Sequence, residues 1–224
     1  MNRRSQNSIR VLALCFSLFF VSQVVSSDFE RSRASRPDWT EQPSNRITTD
    51  QAFLTDIVAA KSPGGLAVLV KCKGEEPTFL HDPPSSDLHK VLNSLTKMDP
   101  RYQWQDDNRV INLLPSTGEP ELLKSRVRRF AVDSSLNEAL RQLLTLTDVT
   151  QAATRLQLKR TSLKLLLGPS PFPNSPQRVK VDLSDITLRT ALNALVRSHG
   201  RAVWQYREYR CGGTNEFSVD FMAQ

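Results

Sequence analysis

Three cysteines, three histidines and eight glycines in 224 residues leave little from which to assemble a familiar catalytic centre. The chain has no glycine-rich phosphate loop, no His-Glu-x-x-His pair to hold zinc and no Gly-x-Ser-x-Gly elbow. The stretch GPSPF around Ser170 lacks the second glycine such an elbow needs. Cys72 and Cys211 each lack a second Cys or His at ligand spacing, so neither a metal nor any other cofactor is expected. His81, His89 and His199 are scattered, and with no nucleophile spaced to meet them they read as surface or helix-end residues rather than general bases. Asp106 and Asp107 fall in a tight turn, and Asp182 with Asp185 at a strand-to-helix junction, where short acids serve backbone geometry and capping. These absences make an enzyme the less expected class. A small secreted hydrolase whose residues converge only in space is the alternative.

A long apolar run is also missing. Val11 to Val25 is the longest, below the roughly 20 residues a membrane-spanning helix needs. It follows Arg3, Arg4 and Arg10 and ends in small residues, so residues 1–27 read as a signal peptide cleaved near Ser26 and Ser27. Cys15 lies inside the run, after Leu14, and does not fit a lipidation site. The expected mature chain is exported, periplasmic or extracellular, without a transmembrane segment. Its charge is modest: the first 27 residues hold three Arg and no acid, leaving 27 basic against 23 acidic residues, net +4. That excess does not point to a nucleic-acid partner.

The densest basic cluster is KSRVRRF, where Lys124, Arg126, Arg128 and Arg129 surround Val127. The alternation reads as a strand with one solvated basic face, and a patch for polyanions or an envelope surface is the competing reading. An oxidising compartment permits Cys72 and Cys211 to pair, closing a long loop, while two separate thiols remain the other possibility.

What the sequence does have is repetition. LNSLTKMDPRYQWQ, from Leu92 to Gln105, returns one hundred residues later as LNALVRSHGRAVWQ, from Leu192 to Gln205. Leu88, Val91, Leu92 and Leu95 make an i, i+3, i+4, i+7 stripe, matched by Leu188, Ala191, Leu192 and Leu195. A third stripe, Leu136, Ala139, Leu140, Leu143 and Leu144, opens with Ser135 and Glu138 at capping-box spacing. Trp104 and Trp204 then sit on equivalent strands as packing anchors. Hairpins follow, reversing through Asp-Asp-Asn in the first copy and Gly212-Gly213 in the second.

The expected class is α+β: two repeated small modules, each with helices packed on a short, mostly antiparallel sheet in the order helix, strand, strand, helix, hairpin. After the signal come a flexible lead-in at 28–47, a first module at 48–114, a linker at 115–121 and a second module at 122–222. The second carries an added first strand and a proline-rich connecting loop at 168–177.

The stretch VKVDLSDITLRTALNALVRSHGRAVW resembles the short N-terminal module of secretins and TonB-dependent receptors, the STN-like domain. Val181, Asp182, Leu188, Ala191, Leu192, Leu195 and Gly200 fall at the matching places. FLHDPPSSDLHKVLNSLTKMDPRYQW follows the pattern with Val91 for Ala and Asp99-Pro100 near the Gly. The likeness covers about fifty residues of amphipathic patterning. It implies a module that contacts an envelope protein and carries no catalytic residues, expected here to work through an exposed sheet edge or a module face. No signal of oligomeric state is present.

Overall fold

In a computed structural model the chain is described over residues 46–70, 76–80, 87–161, 165–167 and 177–223. The signal peptide with Ser26 and Ser27, Cys15, Cys72, His81, Ser170, most of the lead-in and nearly all of the proline-rich loop lie outside the described residues. Residues 43–224 form one compact unit.

The first half runs β1 (Arg46–Thr48), α1 (Thr49–Ala59), β2 (Gly64–Val70), β3 (Thr78–Leu80), α2 (Leu88–Met98), β4 (Tyr102–Asp107) and β5 (Val110–Pro115). The second half runs β6 (Arg126–Ser135), α3 (Leu136–Thr145), α4 (Thr147–Arg155), β7 (Lys159–Arg160), β8 (Leu165–Leu167), β9 (Arg178–Thr187), α5 (Leu188–His199), β10 (Ala202–Cys211) and β11 (Thr214–Ala223). The fold is α+β.

Helix starts follow the local chemistry of their caps, because the first backbone N–H groups of a helix need an acceptor. Asp87, Ser135 and Thr187 precede the three leucine-striped helices, and each side chain accepts from the backbone N–H three residues on. The capping box at Ser135 is only half made. Glu138 turns to Arg141 and Gln142 instead of reaching back, and the hydrogen bond from Arg141, then that from Gln142, holds its carboxyl down at about 2. Asp185 caps nothing. It takes a left-handed backbone (φ 60°) and pairs with Arg126, leaving the cap to Thr187.

One seven-stranded sheet has the order β4-β5-β2-β10-β11-β7, with β8 also beside β11. It is mixed rather than mostly antiparallel: β2 runs parallel to both β5 and β10, while the hairpins β4–β5 and β10–β11 are antiparallel. A strand flanked on both sides and covered on both faces must be apolar throughout, and β2, GGLAVLV, is. Both hairpins turn on two residues with positive φ, Asn108-Arg109 and Gly212-Gly213, the geometry that matches the twist of the flanking strands.

The sheet is covered on both faces. On one, Phe53 and Ile57 of α1 and Leu92 and Leu95 of α2 pack on Leu66, Val68, Ile111, Leu113 and Val203. On the other, the leucine stripes of α3 and α5, with Val127, Phe130, Val132 and Val179, pack on Ala67, Val110, Trp204, Tyr206, Val219 and Phe221. Val127, Phe130 and Val132 come from β6 and Val179 from β9, which form a separate antiparallel pair. Leu92 and Leu192 are both fully buried, each worth about 1.5–3 kcal/mol in transfer terms.

The two expected modules therefore meet in one sheet, where β2 of the first half lies between the hairpins of both. Glu119 pairs with Arg189 at 3.1 Å, and the Leu123 and Ser125 carbonyls accept from the first N–H groups of α5.

Candidate functional site

The repeated stretches build the same local unit. In each, an Asn on the leucine-striped helix accepts a hydrogen bond from a Trp indole on the following strand: Trp104 Nε1 to Asn93 Oδ1 at 3.0 Å, Trp204 Nε1 to Asn193 Oδ1 at 2.7 Å. Their surroundings differ completely. In the second copy the strand after the helix, β10, is the inner strand of its hairpin and lies against β2. Trp204 is fully buried over Gly65, where an added Cβ would stand 2.2 Å from the indole. Asn193 also donates to Asp107 Oδ2 at 2.9 Å, tying α5 to the first hairpin.

In the first copy the strand after the helix, β4, is the outer strand and ends the sheet. Trp104 faces the opposite side of the sheet from Trp204, is only partly buried, and stacks on His89 with ring centroids 5.1 Å apart. Among the described residues no strand pairs with the outer edge of β4.

Other edges are partly closed. In the β6–β9 ribbon, Asp148 accepts from the Arg128 backbone N–H at 2.9 Å, and the Ser198 hydroxyl bonds both the N–H and the C=O of Lys180. Such side-chain plugs blunt an edge against adventitious pairing.

The basic cluster is largely matched with acids. Lys124 pairs with Glu121 at 2.6 Å, Arg126 with Asp185 and Arg128 with Asp148 at 2.8 Å, leaving Arg129 exposed without a described carboxylate partner. Among the described residues the histidines do not converge. His89 lies against Trp104, whereas His199, expected at the surface or at a helix end, closes α5 and is buried because that last turn packs inward; burial lowers its pKa. Cys211 ends β10 and is disulfide-bonded; Cys72 lies outside the described residues.

Two buried polar groups were not anticipated. Asp99, just past α2, accepts from Thr49 Oγ1 at 2.5 Å and from Arg101 Nε and Nη2 at 2.7 and 2.6 Å. Burial alone would raise its carboxyl, but the hydrogen bonds from Arg101 and Thr49 outweigh that and hold it below its ordinary value. Glu208 accepts from Tyr206 Oη at 2.5 Å and from Arg210 Nε at 2.6 Å, and burial followed by the Glu208 contact pushes the Tyr206 phenol up. Asp99 could have been suspected from its place in the repeat, where it stands opposite His199.

Among the described residues no group of three or more His, Cys, Asp or Glu could hold a metal ion, and no helix is long and apolar enough to cross a membrane. No family model, curated protein or solved structure matches the chain.

Proposed function

We propose that this chain is a non-catalytic, exported protein-interaction module of the cell envelope, periplasmic or extracellular, related in kind to the STN-like modules that its leucine pattern resembles. The observation that carries the reading is the outer edge of β4. Six residues of extended backbone stand at the end of the seven-stranded sheet, with the half-buried Trp104 and its stacked His89 beside them. An unpaired edge offers alternating N–H and C=O groups to an incoming strand, and a fixed aromatic adds apolar area at small entropic cost. The plugged edges of the ribbon make β4 the more accessible of the long edges.

A polyanion-binding role draws less support, since three of the four clustered cations already face a carboxylate. A hydrolase draws less still, because the charged groups in place form structural pairs around helix ends and turns. Affinity capture with the mature chain from envelope extract, followed by amide exchange on the purified complex, tests the proposal. A reproducible protein partner should slow exchange along 102–107. Failure to recover one, or protection confined to the ribbon, would overturn it.

A further inference from the structure

The sheet splits at one place. β2 pairs with β10 along its whole length, from Gly64 to Val70, but with β5 only from Gly64 to Leu66. Past that point β5 stays with β4 while β2 continues with β10, and the two parallel strands part at their C-terminal ends. The gap holds a cavity of about 410 Å³, within the roughly 300–1,000 Å³ typical of ligand sites. Leu69 and Val70 form one wall, Tyr102 and Pro115 the other, and Arg101 and Ser116 supply polar groups. Leu69 is 41% exposed, a large apolar side chain left open at the mouth.

Arg101 is held in a fixed orientation there. Asp99, itself almost wholly buried and anchored by Thr49, takes the guanidinium along the Nε–Nη2 side, and the plane rests 5.6 Å from the Tyr102 ring. A guanidinium carries five N–H donors in a rigid fork, so occupation of one side leaves the Nη1 end able to meet a second carboxylate. Because Asp99 already balances the charge, and the exposed Glu76 also acts on Arg101, such a carboxylate is held by fit and hydrogen bonding more than by net charge.

The geometry points to this cleft as a binding site for the C-terminal end of an extended peptide, its last apolar side chain between Leu69, Val70, Tyr102 and Pro115 and its terminal carboxylate on Arg101. A peptide fits better than a fatty acid, because Leu69 and Val70 have no described strand on the side that faces the gap and can pair with extended backbone. This inference rests on the interaction reading and gives it a second surface, which meets the first at Tyr102.

The test uses fluorescein-labelled hexapeptide pools, random except for a final Val or Leu, with either a free or an amidated C-terminus, titrated against the mature chain by polarisation. Free-acid peptides are expected to bind at least tenfold more tightly than the amides. Leu69→Glu, which puts a carboxylate at the apolar mouth, should reduce binding of the free acids at least tenfold. The double variant Asp99→Asn with Arg101→Gln, which avoids stranding a buried charge, should bring acid and amide to the same affinity. Equal binding of acid and amide by the wild type, no saturable binding by either, or displacement by decanoate at peptide-like concentrations would each overturn the assignment. Wild-type capture of an envelope partner that Leu69→Glu leaves unchanged, together with no peptide binding, would remove the cleft while leaving the β4 reading in place.

Discussion

Two copies of one short motif, Leu92–Gln105 and Leu192–Gln205, fold alike and live differently. Both place a buried leucine and an Asn–Trp hydrogen bond between helix and strand. The second copy feeds into the inner strand of its hairpin, so its tryptophan is enclosed between β2 and β11; the first feeds into the outer strand, so its tryptophan stays at the margin. Position in the sheet, not local sequence, decides which copy is structural and which is available.

The largest expected differences lie at the tryptophans. Trp204→Ala should cost about 3–5 kcal/mol by urea unfolding, and Trp104→Ala about half as much, since the Trp104 ring has less burial to lose. Gly65→Ala should cost about 3 kcal/mol or more, because its Cβ would overlap the Trp204 indole, which is fenced by strands on both sides. Equal losses at the two tryptophans would erase the contrast.

At the leucines the copies should agree. Leu92→Ala and Leu192→Ala should each destabilise by about 2–5 kcal/mol, both being fully buried. The asparagines should diverge again: Asn193→Ala, which strands the indole N–H and releases Asp107, should cost about 1–3 kcal/mol, and Asn93→Ala, at a wetter site, less than about 1.

The smallest effect concerns the residues that end the two helices, Asp99 and His199. Both have folded pKa values below their ordinary ones, so in each case the unfolded chain binds more protons and stability falls with acid. His199, buried and without a described partner for Nδ1, should bring its loss as pH drops below 6.5. Asp99 should bring its loss only as pH drops below 3.8. Urea midpoints measured from pH 7.5 to 3 should fall in two stages, and His199→Gln should remove the upper one.

The leucine stripes, the cap at Ser135 and the Gly212-Gly213 reversal were legible because each rests on contacts a few residues apart. α4 was not, since TDVTQAATR buries only Val149, Ala152 and Ala153, a stripe of small side chains with no leucine in it. The joining of both hairpins through β2 was not legible either, because strand order depends on pairings about 140 residues apart that alternation cannot encode. The need for a bare Cα at Gly65 was not legible, since it arises from an indole far along the chain. For the candidate site, Asn and Trp recurring at the same spacing were a visible signal of the latch. The exposure of one copy was not, since hairpin order sets it.

The account turns on Trp104 standing at an open edge while Trp204 is sealed. With Trp39 replaced by Phe, acrylamide quenching of the Trp104→Phe and Trp204→Phe variants reads each indole alone. The protein retaining Trp204 should emit in the blue and resist quenching, and the one retaining Trp104 should emit further to the red and be quenched several-fold more strongly. Indistinguishable spectra and quenching would mean that the two copies share one environment, and the assignment of β4 as the free edge would be lost.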